Sequence, residues 1–259
     1  MAGVLLVTGG ARGIGAATAR LAASQGYAVA VNYCTRHDAA EALVAGIEAA
    51  GGRAIAVQAD VARHDQVEHL IDLVEARLGR ITALVNSAGI DGGPPTRVAD
   101  LEQEALERLL AVNVIGTMLC CRAAARRMST LSGAAGGAIV NLSSMAATIG
   151  GRPGRSAYAA SKAAVDTFTV GFAKEVAREG IRVNALRPGM TLTDMTDGIR
   201  KDPELRARIA ATIAINRCAE PEEMARPILW LLSEQASFIS GALLDASGGG
   251  FMLAPAARP

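Results

Sequence analysis

The stretch Val4-Leu5-Leu6-Val7-Thr8-Gly9-Gly10-Ala11-Arg12-Gly13-Ile14-Gly15 decides the fold. Four consecutive apolar residues are enough for a buried strand and too few for a helix; the glycines that follow close the run with a turn, and a helical apolar pattern through Ala17 and Leu21 begins at once. Similar short runs recur at Ala28 to Asn32, Ala54 to Val57, Ala83 to Asn86, Ile139 to Leu142, Val183 to Leu186 and Leu243 to Asp245, which predicts seven strands. Between the third and fourth, Val67, Leu70, Ile71, Val74 and Leu78 step by three and four along one helical stripe, and Gly79 stops it. Strands apolar on both faces and separated by helices belong to a parallel sheet covered on both sides, because each parallel pair needs a long crossover. The expected fold class is α/β, a doubly wound parallel sheet of about seven strands with helices on both faces. No proline-rich or charged linker interrupts the alternation, and the small-residue stretch Ser129 to Gly137 reads as a surface loop, so one domain is expected over 1–259.

With 259 residues, 51% hydrophobic and 20% charged, the chain can bury a large core. Its 26 basic and 25 acidic residues nearly cancel and form no long block, which leaves no electrostatic footprint for nucleic acid or an anionic membrane. The partner this predicts is a small molecule. Cys34, Cys120, Cys121 and Cys218 show neither metal-ligand spacing nor a disulfide framework, so buried reduced thiols and no metal site are expected. After Met1-Ala2-Gly3 the chain enters its first apolar run without a charged leader, and no run approaches the roughly 18 apolar residues of a membrane helix. A cytoplasmic protein is the expectation.

A helix start offers free amides and partial positive charge, and glycines let the backbone turn sharply against a pyrophosphate. Gly9, Arg12, Gly13, Ile14 and Gly15, placed between a strand and a helix, therefore read as a dinucleotide cradle on a Rossmann-type sheet. An NAD-selective site places a carboxylate at the end of the second strand. Here Val31-Asn32-Tyr33-Cys34-Thr35-Arg36 contains no acid, while Asn32, Thr35, Arg36 and Arg12 can each donate to a 2′-phosphate. NADP(H) is favoured over NAD(H).

In Ser156-Ala157-Tyr158-Ala159-Ala160-Ser161-Lys162, the tyrosine and lysine are four apart and share one helical face. A nearby ammonium favours the phenolate of a group whose ordinary pKa is near 10. Together with the glycine loop, Asp60 after the third strand, Asn86-Ser87-Ala88-Gly89 after the fourth, Asn113, Ser143-Ser144 and Pro188-Gly189, this pair makes the chain resemble the short-chain dehydrogenase/reductase family from Val4 to Gly249. The resemblance implies that Tyr158 is the acid that protonates a ketone oxygen, and the base in the reverse direction. It implies that Lys162 lowers the phenol pKa and holds the ribose, that a serine bonds the substrate oxygen, and that Asn113 holds a water leading from Lys162 to solvent. Asp60 and Val61 would meet the adenine, Asn86, Ala88 and Gly89 would run beneath the cofactor, and Pro188, Gly189, Thr191 and Thr193 would line its nicotinamide end, Thr191 through its backbone. The implied activity is hydride transfer between NADP(H) and a carbonyl or secondary alcohol, in a homotetramer. An NAD-linked sugar or polyol dehydrogenase and a non-catalytic cofactor sensor are the alternatives.

Three places depart from the family pattern. Ser87 stands where a second asparagine is usual, and Asp245 lies upstream of the usual place of the acid in Asp-Gly-Gly, expected to alter a subunit contact. The usual serine position falls on Met145, so one residue is inserted around Arg152 to Ser156; Ser144 is the expected catalytic serine and Ser143 the alternative. The stretch 193–216 carries Met195, Ile199, Leu205, Ile209 and Ile213 among charges, which predicts one or two amphipathic helices, either a lid or a fixed packing element.

Overall fold

The computed structural model of the protein describes residues 3–251. Its seven strands, β1 (Val4–Thr8), β2 (Ala28–Tyr33), β3 (Arg53–Gln58), β4 (Ile81–Asn86), β5 (Gly137–Leu142), β6 (Ile181–Pro188) and β7 (Leu243–Ala246), lie where the apolar runs predict them. They form one sheet in the order β3-β2-β1-β4-β5-β6-β7, and every pair is parallel. The order reverses between β1 and β4, so a crevice opens beyond the carboxyl ends of these two strands.

Helices cover both faces. α1 (Gly13–Ser24) and α2 (His37–Ala49) pack with the later helix over Pro221–Leu232 on one face, through Ala19, Leu43, Ile47, Ile228 and Leu231. α3 (His64–Leu78) lies on the other, where all five residues of its apolar stripe are buried. Beside it runs a long helix made of α4 (Gln103–Leu110), a π-helical turn over Ala111–Gly116 and α5 (Thr117–Met128). By length and a mean hydropathy of 1.4 over its richest window this helix could cross a bilayer, but 56% of that window is buried within the fold, as in a core helix. Cys120, Cys121 and Cys218 are buried as expected; Cys34 is exposed, because the chain has by then left β2 for the surface. Among the described residues no group of side chains could hold a metal ion.

On the carboxyl side of the sheet a four-residue helix, α6 (Ala146–Ile149), and a short loop lead into α7 (Ser156–Val176). Beyond β6, a capped turn at Asp194–Thr196 is followed by α8 (Asp197–Lys201) and α9 (Pro203–Ala210), so the expected amphipathic stretch folds as two short helices. Leu192, Ile209, Ile213 and Cys218 form a small apolar cluster of their own, with Phe251 against it. α10 (Pro221–Leu232) returns the chain to the main body.

Candidate active site

The site is built where β1, β4, β5 and β6 end. Gly9 turns with φ of +60°, a conformation unfavourable for a side chain, and a Cβ there would lie 2.7 Å from the Ala88 Cα. The turn from β1 thus lies directly against the chain leaving β4, and the Thr8 hydroxyl accepts from the Ala88 amide at 3.2 Å. Gly15 packs on the Gly9 carbonyl, which brings the start of α1 into the same cleft. Arg12 occupies the N-cap of α1 without a capping side-chain bond, so the first amides of the helix face the cleft uncapped by a side chain. A cradle filled by any Cβ and opening on a helix start fits a dinucleotide pyrophosphate, with Gly9, Arg12, Gly13, Ile14 and Gly15 as its wall.

Beyond the cradle the predicted residues divide. Thr35 and Arg36 are exposed just past β2, and Arg12 is exposed with Asp194 3.8 Å away. Asn32 does not join them. It is 2% exposed, and its Nδ2 donates to the Val57 and Ala59 carbonyls while its Oδ1 accepts from the Gly9 amide at 3.3 Å. The expectation that it donates to a 2′-phosphate is corrected: it still belongs to β2, and it ties β3 to the glycine turn. Asp60 is held by Arg108 at 2.8 Å and borders a hollow with Cys34, Gln58 and Gln66, while Val61 is buried against the π-helical turn. Asn86 turns inward, donating to Asn141 at 2.9 Å, and Asn141 donates in turn to Thr169 of α7. Asn141 and Thr169 were not among the predicted residues; an asparagine inside the apolar run of β5 was the signal for them.

The serines, tyrosine and lysine converge at the end of β5. Ser143 is 4% exposed and donates to the Lys162 carbonyl at 3.1 Å, so it is bound into α7. Ser144 is half-buried, accepts from the Ala146 amide at 3.1 Å, and presents the hydroxyl that draws the Tyr158 phenol pKa down. One turn along α7, the Lys162 ammonium lies 5.9 Å from the Tyr158 ring centre and donates to the Leu142 carbonyl at 2.7 Å. Asn113, in the π-helical turn, bonds both the amide and the carbonyl of Ile90 and donates to Ser161. Its side chain is therefore a clamp between the β4 exit and α7, and a Cβ on Gly89 would touch both Asn113 and Lys162.

Beyond β6, the Pro188 carbonyl accepts from Met145, and the Thr191 backbone pairs with Ala219. Thr193 caps its turn and stands 3.3 Å from the position of a Cβ on Gly13, so this segment meets the cradle. The displaced Asp245 does not lie idle: Arg187 joins it at 3.3 Å and Asp166 of α7 at 2.9 Å.

Burial dominates the electrostatics. It pushes the Tyr158 phenol above its ordinary 10.0; the Ser144 hydrogen bond pulls it back, the Asp91 carboxylate raises it and the Arg155 guanidinium lowers it. Burial likewise brings the Lys162 ammonium from 10.5 down to about 8, with Asp166 opposing. Between these two values the unfolded chain holds a Lys162 proton that the folded chain has released, so Lys162 contributes stability that grows from about pH 8 to 10.5, while the buried Cys120 and Cys121 thiols, pushed up by burial, contribute in the opposite sense above about 9. Urea titrations of the cofactor-free wild type and Lys162→Met across this window should show the difference in stability between them shifting in favour of the wild type as pH rises; a difference that does not change with pH would refute the assignment.

The comparisons agree with this architecture. The family model described as enoyl-(acyl carrier protein) reductase matches residues 9–250. An uncharacterized oxidoreductase of Escherichia coli, YgfF, is 44% identical over 95% of this chain and 99% of its own. A 3-oxoacyl-[acyl-carrier-protein] reductase of Synechocystis is 40% identical over 95% and 96%. The solved structure of a short-chain type dehydrogenase/reductase from Mycobacterium ulcerans superposes with a TM-score of 0.88 at 32% identity, over 96% of this chain and 91% of that one. With a parallel sheet that reverses at a glycine turn and relatives of this kind along nearly its whole length, the chain belongs to the short-chain dehydrogenase/reductase family of oxidoreductases.

Proposed function

We propose that this oxidoreductase is an NADP(H)-dependent ketoreductase or alcohol dehydrogenase in which Tyr158 is the acid and base. The observation that carries this reading is the convergence of the Ser144 hydroxyl, which draws the Tyr158 phenol pKa down, with the buried Lys162 ammonium 5.9 Å from the tyrosine ring centre. Ser144 donates to a carbonyl oxygen and stabilises the charge that develops there, and Tyr158 delivers the proton that completes the alcohol. Lys162 holds the ribose hydroxyls and supplies positive charge behind the phenol. The bound nicotinamide supplies or accepts the hydride.

For the cofactor, the absence of an acid where β2 ends, together with exposed Thr35, Arg36 and Arg12, supports the phosphorylated form. Asp60 and Val61 serve the adenine, Asn86, Ala88 and Gly89 the floor, and Pro188, Gly189, Thr191 and Thr193 the nicotinamide end. Asn113 holds the Lys162 side of the site in register and leads its proton path to solvent. The helices over 193–216 form the lid. Leu110, Ile115 and Met118 are exposed on the long helix, and Trp230 and Phe238 elsewhere on the surface; these apolar side chains support a homotetramer, which we read as a cytoplasmic enzyme.

The name of the Synechocystis relative makes an acetoacetyl thioester the first probe, beside simple ketones. Turnover should require Tyr158, so that Tyr158→Phe is inactive while still binding cofactor. Ser144→Ala should lose roughly 100-fold to 1,000-fold in kcat, as for other oxyanion donors. Ser143→Ala should keep most of it; the reverse order would exchange the two roles.

The cofactor assignment has its own measurement. NADPH should exceed NADH in kcat/KM by at least roughly tenfold, the worth of one charge-assisted bond to a phosphate. Arg36→Ala should cut that advantage and leave the NADH value nearly unchanged. Equal efficiency with both cofactors in the wild type would sink the assignment.

A further inference from the structure

Two loops that the sequence separates widely are fastened together beside Tyr158. The first follows Gly89 and carries Asp91, Gly92 and Gly93. The second, Gly150 to Arg155, ends at the N-cap of α7. Arg155, three residues before Tyr158, reaches across: Nη1 donates to the Asp91 carbonyl at 2.8 Å and to the Gly93 carbonyl at 2.6 Å, and Nη2 lies 3.1 Å from the Asp91 carboxylate. The Thr96 amide donates to the Gly154 carbonyl at 3.1 Å, and a Cβ on Gly154 would meet Pro95 and Thr96 at less than 3.0 Å. Asp91 also accepts from the Gly93 amide, so its loop is folded around the guanidinium.

We propose that Arg155 and Asp91 form a latch that positions Tyr158 for proton transfer and neutralises, within the pair, charge that either residue alone would impose on the phenol. They are positioning residues: neither is required to touch the reacting atoms. The first part follows from the fork. A planar guanidinium bonded to two carbonyls and a carboxylate fixes the head of α7 against the β4 exit, and Tyr158 lies within the first turn of that helix. The second follows from what surrounds the ring. Asp91 from the β4 exit and Arg155 from the head of α7 line one small hollow together with Tyr158, the Lys162 ammonium lies 5.9 Å from the ring centre on the next turn of α7, and Ser144 stands at the β5 end. Asp91 and Arg155 push the phenol in opposite directions, so each shields it from the other.

This inference rests on the reading of Tyr158 as the acid and base, and its test separates the two. The direct readout is the titration of the Tyr158 phenol by NMR of isotopically labelled tyrosine in the full-length cofactor-free protein. The chain has three tyrosines, so Tyr158→Phe identifies the resonance. Asp91→Asn should move the midpoint to lower pH, Arg155→Met to higher pH, and the double variant should return it towards the wild type. A merely structural role would not produce shifts of opposite sign.

Arg155→Lys keeps the charge and loses the fork, so it should leave the midpoint near the wild-type value while kcat for acetoacetyl thioester or ketone reduction falls roughly tenfold to 100-fold, as expected when a reacting group is misplaced by about 1 Å. KM should change much less. Midpoints that stay put, or that move the same way in both single variants, overturn the latch, as does an Arg155→Lys enzyme with unchanged kcat. Such results with an inactive Tyr158→Phe would remove the latch alone; a Tyr158→Phe enzyme as active as the wild type would remove the catalytic reading beneath it as well.

Discussion

The approach of Gly9 to Ala88 sets the geometry on which everything else in the cleft is built. Two parallel strands that neighbour each other but are followed by crossovers to opposite faces leave a gap beyond their ends. The gap becomes a binding cleft only because the backbone can enter it, and the position that turns into it carries no side chain. Once that turn is seated, the start of α1 packs on it through Gly15, the β4 exit lies against it at Ala88, and Gly89 meets Asn113 and, on α7, Lys162. A methyl group at Gly9 would push the β1 and β4 turns apart, and the arrangement of Gly89, Asn113 and Lys162 behind them would open with it.

Holding these chain ends in place falls largely to buried amides. Asn32, Asn86, Asn113 and Asn141 are each at most 3% exposed, in an interior made mainly of aliphatic groups. Burying an amide without partners costs about 1 to 3 kcal/mol, so each is held to the particular neighbours that satisfy it. Asn32 joins β2, β3 and the glycine turn; Asn113 joins the β4 exit to α7; Asn86 and Asn141 run across the sheet to Thr169. An aliphatic residue at these points would pack, but it would not specify which strand end faces which helix. Asn86 Oδ1 and Asp166 Oδ1 are buried without a hydrogen-bond partner.

Most of the fold was legible because its signals are local. Seven apolar runs, a helical stripe on α3 and a glycine turn each announce themselves within fifteen residues or so, and parallel topology follows from the spacing between them. The Tyr158 and Lys162 pair is legible for the same reason. What failed or stayed open depended on contacts between distant segments. Asn32 was read as a donor to a 2′-phosphate because the sequence does not show that the Val57 and Ala59 carbonyls occupy its amide. Counting could not separate Ser143 from Ser144; the Lys162 carbonyl, nineteen residues on, takes the first hydroxyl and leaves the second beside the phenol. Arg155 and Asp91 are 64 residues apart, and nothing in either stretch names the other.

The small apolar cluster beyond β6 has an implication for how such a protein diversifies. Leu192, Ile209, Ile213 and Cys218 pack chiefly on one another, and the isolated bridges at Thr191 with Ala219 and Ile213 with Phe251 stitch the segment to its flanks. Its interior is therefore separate from the two cores that hold the sheet. Substitutions there alter the segment beyond β6 while the strands, the glycine turn and the tyrosine keep their own support. Drift in that segment is thus insulated from global stability, which lets one scaffold acquire new molecular tastes without first being made more robust.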